Sequence, residues 1–154
     1  MSFPLGSPRV RHPPPRVGPS YLIALKWAGM IVTHLIAVVD DDASAREAIA
    51  GLVKAFGYMV CVFECGSDLL RSPESDSSAC LIADMQMARM SGLELFLALV
   101  AAGKPVPTIL ITAYPDEATR RRALQAGVVA FLAKPVDSAT LLACLRGAIG
   151  AASG

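Results

Sequence analysis

Five short apolar runs constrain the fold of this chain more than any other feature of its sequence. They cover residues 35–39, 58–63, 79–83, 108–111 and 128–133, and each has the length of a β-strand. Near-continuous apolar strands are typical of a parallel sheet that is buried on both faces. The runs therefore predict such a sheet, with a helix connecting each strand to the next.

Segments with helical periodicity separate the runs. The clearest one follows the first run: Ser44 and Glu47 have the spacing of a capping box, and Gly57 comes after it as a stop signal. Its apolar positions at helical spacing are Ile49, Leu52, Val53 and Phe56. Further helices are predicted at residues 68–71, 93–101, 116–126 and 138–149. Five β-α repeats predict an α/β fold, a doubly wound five-stranded parallel sheet in a three-layer α/β/α arrangement.

Composition supports a single buried domain. Of 154 residues, 54% are hydrophobic and 18% are charged, a balance that suits a sheet covered on both faces. The net charge of +1, without a long basic run in the folded part, argues against direct nucleic-acid binding. Because the apolar stretch from residue 21 to 39 is interrupted by polar residues and a glycine, we expect no membrane span.

Cysteine and histidine usage argues against zinc and against imidazole catalysis. The four cysteines are Cys61, Cys65, Cys80 and Cys144. They form no CxxC pair, and both histidines, His12 and His34, precede the region that carries the motifs. We expect buried free thiols and a cytoplasmic location.

The domain organisation predicted from composition has three parts. Residues 1–33 form a disordered or loosely attached extension, residues 34–150 the folded domain, and residues 151–154 a tail. The first 20 residues are rich in proline and arginine, which cannot build a core. The apolar stretch 21–30 is either a short helix lying on the domain or upstream sequence preceding a natural start at Met30.

Polar residues stand where four of the apolar runs end. The first run is followed by Asp40, Asp41 and Asp42, and three later runs by Asp84, Thr112 and Lys134 in turn. In a parallel sheet all these ends lie at one edge, where such folds bind their ligands. Three carboxylates, a hydroxyl and an ammonium are therefore predicted to converge there, whereas Asp42 is predicted to be structural at the start of its helix.

Clustered carboxylates need a cation between them. Asp40, Asp41 and Asp84 would repel one another in a partly desolvated cleft unless a divalent ion bound there. Their donors are all oxygen, which suits Mg²⁺. Such an ion neutralises a phosphoryl group in transfer while one carboxylate acts as nucleophile, and Lys134 and Thr112 can each contact a phosphoryl oxygen. Taken singly, each residue is more often a helix cap or a turn residue; the joint pattern favours the site.

Four motifs at these positions resemble those of the receiver domain of two-component response regulators, in family order and spacing. The motifs are Val38-Val39-Asp40-Asp41-Asp42, then Leu81-Ile82-Ala83-Asp84-Met85-Gln86-Met87 with Met90-Ser91-Gly92, then Ile111-Thr112-Ala113, then Phe131-Leu132-Ala133-Lys134-Pro135. The resemblance covers residues 35–149 and is strongest to the branch of nitrogen-fixation and nodulation regulators. It implies a flavodoxin-like fold and a signalling domain rather than a dedicated enzyme.

The resemblance also implies residue roles. Asp84 is the phosphoacceptor that takes its phosphoryl group from a sensor histidine kinase in a phosphorelay, and Lys134 contacts that group. Thr112 moves toward the phosphoryl group, and Phe131 is the aromatic switch residue, although a plain core role is the alternative for Phe131. The implied Mg²⁺ ligands are Asp40, Asp41, Asp84 and the backbone carbonyl of Gln86.

Two positions depart from the family pattern. Ala88 stands where the family usually has proline, and Val136 where it usually has phenylalanine. Neither change removes a charged group, so we expect the chemistry to persist, whereas the sequence leaves the lifetime of the phosphorylated form open. By the same resemblance the Lys134-Pro135 bond is expected to be cis.

Several functions remain open from the sequence. A chain ending soon after Ile149 suggests a stand-alone receiver, which is either a phosphoryl shuttle or a switch that binds a partner or a second copy through the last two helices and strand. Arg120, Arg121 and Arg122 lie on that face and are either a solvated helix surface or a contact. The rival from another class is a phosphohydrolase with an aspartyl phosphate, which needs an acid where Gln86 stands. A degenerate receiver that binds partners without phosphorylation is the third possibility.

Overall fold

The computed structural model describes residues 33–153, with side chains described through residue 150. Three predictions lie outside the described residues: the proline-rich disordered tail, the apolar stretch 21–30 and the start at Met30. Residues from His34 onward form one compact unit. The boundaries of the extension, the domain and the tail stay predictions.

The predicted parallel sheet is confirmed. Its strands are β1 (Leu35–Val39), β2 (Met59–Phe63), β3 (Cys80–Asp84), β4 (Thr108–Thr112) and β5 (Ala130–Ala133). They pair in the order β2-β1-β3-β4-β5, and every pairing is parallel. The last strand starts two residues later than predicted, because the Val128 amide instead donates to the Ala123 carbonyl at the end of the preceding helix (3.1 Å).

Helices connect the strands and follow the last one. They are α1 (Ala43–Ala55), α2 (Gly66–Arg71), α3 (Glu74–Ser77), α4 (Gly92–Ala101), α5 (Glu117–Ala126) and α6 (Ser138–Ser153). The one-turn helix α3 was not predicted, since its four residues are all polar and show no apolar periodicity. Helix α6 was predicted to end at Ile149 and continues to Ser153. No helix in residues 33–153 is both long and apolar enough to cross a membrane.

One cap prediction was wrong. The carboxylate of Asp42, rather than Ser44, accepts the free amide of Ala45 (3.0 Å) at the start of α1, so the Ser44–Glu47 capping box does not form. This confirms the structural role predicted for Asp42 and shows that the helix begins earlier than the capping-box spacing implied. The stop signal is confirmed, since Gly57 follows the end of α1 with a φ of +99° that favours glycine.

Two apolar cores lie on opposite faces of the sheet. One face packs α1 and α6 against the sheet, with Ile36, Ile82 and Leu145 fully or almost fully buried. The other packs α2, α4 and α5, with Leu81 and Leu99 fully buried. The structure therefore confirms the three-layer arrangement and explains why the strands are apolar on both faces.

The four cysteines are free, as predicted, but only Cys80 is fully buried. Cys61, Cys65 and Cys144 are partly exposed, so the prediction of four buried thiols was too broad. Burial raises the pKa of the Cys80 thiol to about 12 and that of Cys61 to about 11. Both thiols are therefore protonated at neutral pH and poor nucleophiles.

Candidate functional site

The candidate site lies at the carboxyl edge of the sheet, where backbone hydrogen bonds extend the strand pairing by one residue. The amide of Asp40 donates to Phe63 (3.2 Å), and the amide of Lys134 donates to Thr112 (2.8 Å). Asp84 is the last residue of β3 and pairs with Ile111 of β4. The parallel pairing therefore places the backbones of Asp40, Asp84, Thr112 and Lys134 along one edge of the sheet.

The three predicted carboxylates come together. Asp40, Asp41 and Asp84 each place a carboxylate oxygen within 4.8 Å of the others. Asp40 and Asp84 are buried, at 4% and 7% exposure, whereas Asp41 is exposed. Two buried carboxylates and one exposed carboxylate at this spacing form a pocket with an open side.

Backbone amides orient these carboxylates. The amide of Asp42 donates to Asp40 (2.9 Å), and the amide of Ala88 donates to Asp41 (3.0 Å). The amide of Gln86 donates to Oδ1 of Asp84 at a longer 3.4 Å. Ala88 thus contributes through its backbone N–H, which the proline usual in the family could not donate.

Lys134 bridges the two buried carboxylates. Its Nζ lies 3.3 Å from Oδ2 of Asp40 and 3.5 Å from Oδ2 of Asp84. Burial raises the pKa of Asp84, the neighbouring charge of Asp40 raises it further, and Lys134 and the Gln86 amide offset only part of this increase. Burial lowers the pKa of Lys134, but the two carboxylates outweigh burial, so its pKa is raised overall and the ammonium stays charged.

The donor set fits a hard divalent cation. The three carboxylates carry three negative charges, and Lys134 is the positively charged group that bridges two of them, so the cluster retains an excess of negative charge. All the donors are oxygen, and the open side leaves room for water ligands, as Mg²⁺ requires. The acidic pocket is therefore one that could bind a metal ion.

Thr112 is fully buried, and its hydroxyl links two loops. It donates to Oε1 of Gln86 (2.8 Å) in the loop after β3. It also accepts a hydrogen bond from the amide of Tyr114 (3.0 Å) in the loop after β4. The sequence predicts a role only for the backbone of Gln86, because no periodicity or spacing signals this side-chain contact.

Phe131 lies on β5, opposite Leu110 in the register of β4, and is partly exposed. It packs against the core on the side of α4 and α5. The predicted cis peptide between Lys134 and Pro135 is confirmed. Phe131 is therefore placed on the strand adjacent to β4, two register positions before the pair that contains Thr112, while its switching role stays a prediction.

Two residues support the site in ways that the sequence did not predict: Arg46, and Gly92 of the Met90-Ser91-Gly92 motif. Arg46 of α1 donates from Nη1 to the backbone carbonyl of Asp40 (2.8 Å). A Cβ on Gly92 would lie 2.6 Å from the carbonyl oxygen of Asp84, so the close approach of α4 to β3 requires glycine. A glycine at the start of a predicted helix was the available signal, and Arg46 gave none.

Comparison with known proteins identifies the family. A model of the response regulator receiver domain matches residues 36–146. Response regulator protein TodT of Pseudomonas putida is 34% identical over 115 residues, which is 75% of this chain and 51% of TodT. Transcriptional regulatory protein FixJ of Azorhizobium caulinodans is 32% identical over 113 residues, 73% of this chain and 54% of FixJ. The chain spans about half the length of these curated relatives.

Solved structures agree with this assignment. The structure of response regulator StyR is 35% identical with a TM-score of 0.71, covering 78% of this chain and 61% of that one. The crystal structure of FixJ-N is 26% identical with a TM-score of 0.70, covering 78% of this chain and 96% of that one. The fold of this chain is flavodoxin-like, as expected, and its relatives include transcriptional regulatory protein FixJ and nodulation protein W. The chain therefore belongs to the response regulator receiver domain family of two-component systems.

Proposed function

We propose that Asp84 accepts a phosphoryl group from the phosphohistidine of a sensor kinase. The observation that carries this proposal is the Lys134 ammonium lying between the buried carboxylates of Asp40 and Asp84. An oxygen of Asp84 attacks phosphorus, the bond from phosphorus to the histidine nitrogen breaks, and its electron pair stays on the imidazole. The product is an aspartyl phosphate at the open side of the pocket.

The proposed cofactor is Mg²⁺, held by Asp40, Asp41, Asp84 and the backbone carbonyl of Gln86. The bound ion supplies neutralisation of the negative charge on the phosphoryl oxygens. Without a cation, the charges of the neighbouring carboxylates oppose the approach of an anionic phosphoryl group. The excess negative charge and the all-oxygen donors of the pocket support this choice of ion.

Side chains of the protein carry out the remaining steps, which are binding of the phosphoryl oxygens and the conformational change. Lys134, whose raised pKa keeps it charged, pairs with a phosphoryl oxygen once the carboxylate of Asp84 is esterified. The hydroxyl of Thr112 donates to another phosphoryl oxygen, and Phe131 turns into the space that Thr112 leaves. Support for this step is the position of Thr112 at the end of β4 and of Phe131 on the adjacent strand.

The proposed output is protein–protein signalling in the cytoplasm by a domain that is not a dedicated enzyme. It is either onward phosphoryl transfer or binding of a partner or a second copy through α5, β5 and α6. Helix α5 supports the second route, since Ala123 is its only buried residue. Arg120 and Arg121 lie 3.5 Å and 3.9 Å from Glu117 on this exposed surface, where such pairs hold a side chain only weakly.

The test is incubation with acetyl phosphate and Mg²⁺, followed by intact mass measurement and phosphate release. We expect one phosphoryl group per chain, absent in the Asp84→Asn variant and absent when EDTA removes the metal. Turnover of many equivalents would identify a phosphohydrolase instead, although Gln86 cannot act as its acid or base. A chain that gains no phosphoryl group would be a degenerate receiver, and the proposal would be rejected.

A further inference from the structure

The side chain of Gln86 has a contact that phosphoryl transfer does not explain. Its Oε1 accepts the hydroxyl of the fully buried Thr112 (2.8 Å). A threonine hydroxyl carries one hydrogen, so it cannot donate to Gln86 and to a phosphoryl oxygen at the same time. In the resting domain, the Thr112 hydroxyl therefore donates to Gln86 and is not available to a phosphoryl oxygen.

The same hydroxyl also contacts the next loop. Its oxygen accepts the amide of Tyr114, two residues further along the chain (3.0 Å). Tyr114 is 74% exposed and precedes α5, which begins at Glu117. The chain from Gln86 through Thr112 to Tyr114 therefore joins the loop beside Asp84 to the loop that leads into α5.

We propose that Gln86 is a positioning residue that holds the Thr112 hydroxyl in its resting arrangement, so that phosphorylation has to exchange this hydrogen bond for one to the phosphoryl group. This inference rests on the proposed function, in which Thr112 binds the phosphoryl group. Gln86 is itself exposed, so water competes for its amide and the contact opposes activation only modestly. Its loss is expected to favour the activated state by about twofold to tenfold, the range for one hydrogen bond.

The experiment measures binding of beryllofluoride, a phosphoryl substitute, in the presence of Mg²⁺. Gln86→Met keeps the side-chain length and removes the amide, and we expect it to bind beryllofluoride about twofold to tenfold more tightly than the wild type. Thr112→Val removes the hydroxyl and keeps the shape of the side chain. In the double variant, Gln86→Met is expected to add no further effect, which a double-mutant cycle measures directly.

A matched control and a second measurement distinguish loss of the Gln86–Thr112 hydrogen bond from a general effect of replacing a glutamine by methionine. Gln125→Met makes the same replacement at an exposed position of α5 and is expected to leave the affinity unchanged. Without metal or beryllofluoride, Gln86→Met should shift the NMR signals of the Thr112 methyl group and the Tyr114 amide, whereas Gln125→Met should not shift them. Gln86→Asn, which is one methylene shorter, repeats the test if Gln86→Met does not fold.

The outcomes distinguish the two proposals. If the wild type binds no beryllofluoride and gains no phosphoryl group, the proposed function fails. If the wild type binds beryllofluoride but Gln86→Met has the same affinity, or keeps its gain in the Thr112→Val background, the positioning role of Gln86 is overturned and the proposed function stands.

Discussion

Helices α4 and α5 both have ten residues, and each follows a strand that ends at the site. They differ in how much of their surface is buried against the domain. Helix α4 buries Gly92, Leu95, Phe96 and Leu99 and starts with a capping box formed by Ser91 and Glu94. Helix α5 buries Ala123 alone. The difference indicates that the side of the site beside α4 is fixed, whereas the side beside α5 can change its position at little cost in buried surface.

This contrast matches the roles proposed for the two sides of the site. Asp84 is the last residue before the loop that leads to α4, and Gly92 of α4 packs directly on its backbone. Thr112 and Tyr114 precede α5: the Thr112 hydroxyl donates one hydrogen bond to Gln86, and the Tyr114 amide donates one to that hydroxyl. A phosphoryl acceptor needs a rigid support, and a switch needs an element of low local stability.

The largest expected effect tests the packing of the two helices. Leu99→Ala in α4 removes a fully buried side chain, and we expect it to lower the free energy of unfolding by about 2–5 kcal/mol. Leu124→Ala in α5 is the matched control at a partly exposed position and should cost less than half as much, because less apolar surface returns to water. Urea denaturation measures both; equal losses would mean that α5 is held as firmly as α4.

The second prediction concerns the contact between α4 and Asp84. Gly92→Ala places a Cβ 2.6 Å from the Asp84 carbonyl oxygen and 2.7 Å from Cδ2 of Leu110, so backbone or core has to shift. We expect a loss of about 1–3 kcal/mol in the free energy of unfolding, together with slower phosphorylation by acetyl phosphate as Asp84 moves.

Its control is Gly51→Ala in α1, where the added Cβ has no atom within 4 Å apart from its chain neighbours and the backbone of its own helix. That substitution should raise the free energy of unfolding by about 0.5–1 kcal/mol through helix propensity alone. If Gly92→Ala stabilises the protein as well, the support that α4 gives to Asp84 is looser than the geometry indicates.

Much of this fold followed from the sequence, because the apolar runs and their order leave few alternatives for a buried parallel sheet. The site followed from topology: residues that end parallel strands share an edge, which brought Asp40, Asp84 and Lys134 together although Lys134 is 94 positions from Asp40. The α1 cap was misplaced because two oxygen-bearing side chains, Asp42 and Ser44, competed for it and the backbone decided between them.

Other features had no sequence signal. The contacts of Arg46 with the Asp40 carbonyl and of Gln86 with Thr112 depend on long side chains whose direction neither periodicity nor spacing encodes. The polar helix α3 is a single turn that makes its own local hydrogen bonds, with Ser72 accepting the amide of Glu74 (3.0 Å). Such contacts depend on the positions that the folded backbone gives to neighbouring residues, and these positions cannot be read from the sequence.

The smallest expected effect concerns the start of α5, where Asp116 accepts the amides of Ala118 (3.1 Å) and Thr119 (3.3 Å). A hydrogen bond from the Thr119 hydroxyl lowers the pKa of Asp116. This cap therefore stabilises α5 at pH above the pKa of an unfolded aspartate, about 3.9, and its contribution is lost as the pH falls through the lower folded pKa. At neutral pH the cap contributes its full stabilisation, and Asp116→Ala should remove that contribution.

We expect Asp116→Ala to speed hydrogen exchange of the amides in α5 at neutral pH while those of α4 keep their protection, because the two helices open independently. Ser91→Ala, which removes the corresponding cap of α4, is the comparison: its effect should reach α4 and the amides around Asp84, since that helix unfolds only with its buried face. Hydrogen exchange followed by NMR measures both. Exchange that rises equally in α4 and α5 after Asp116→Ala would show that they form one cooperative unit, and a switch confined to α5 could not then work.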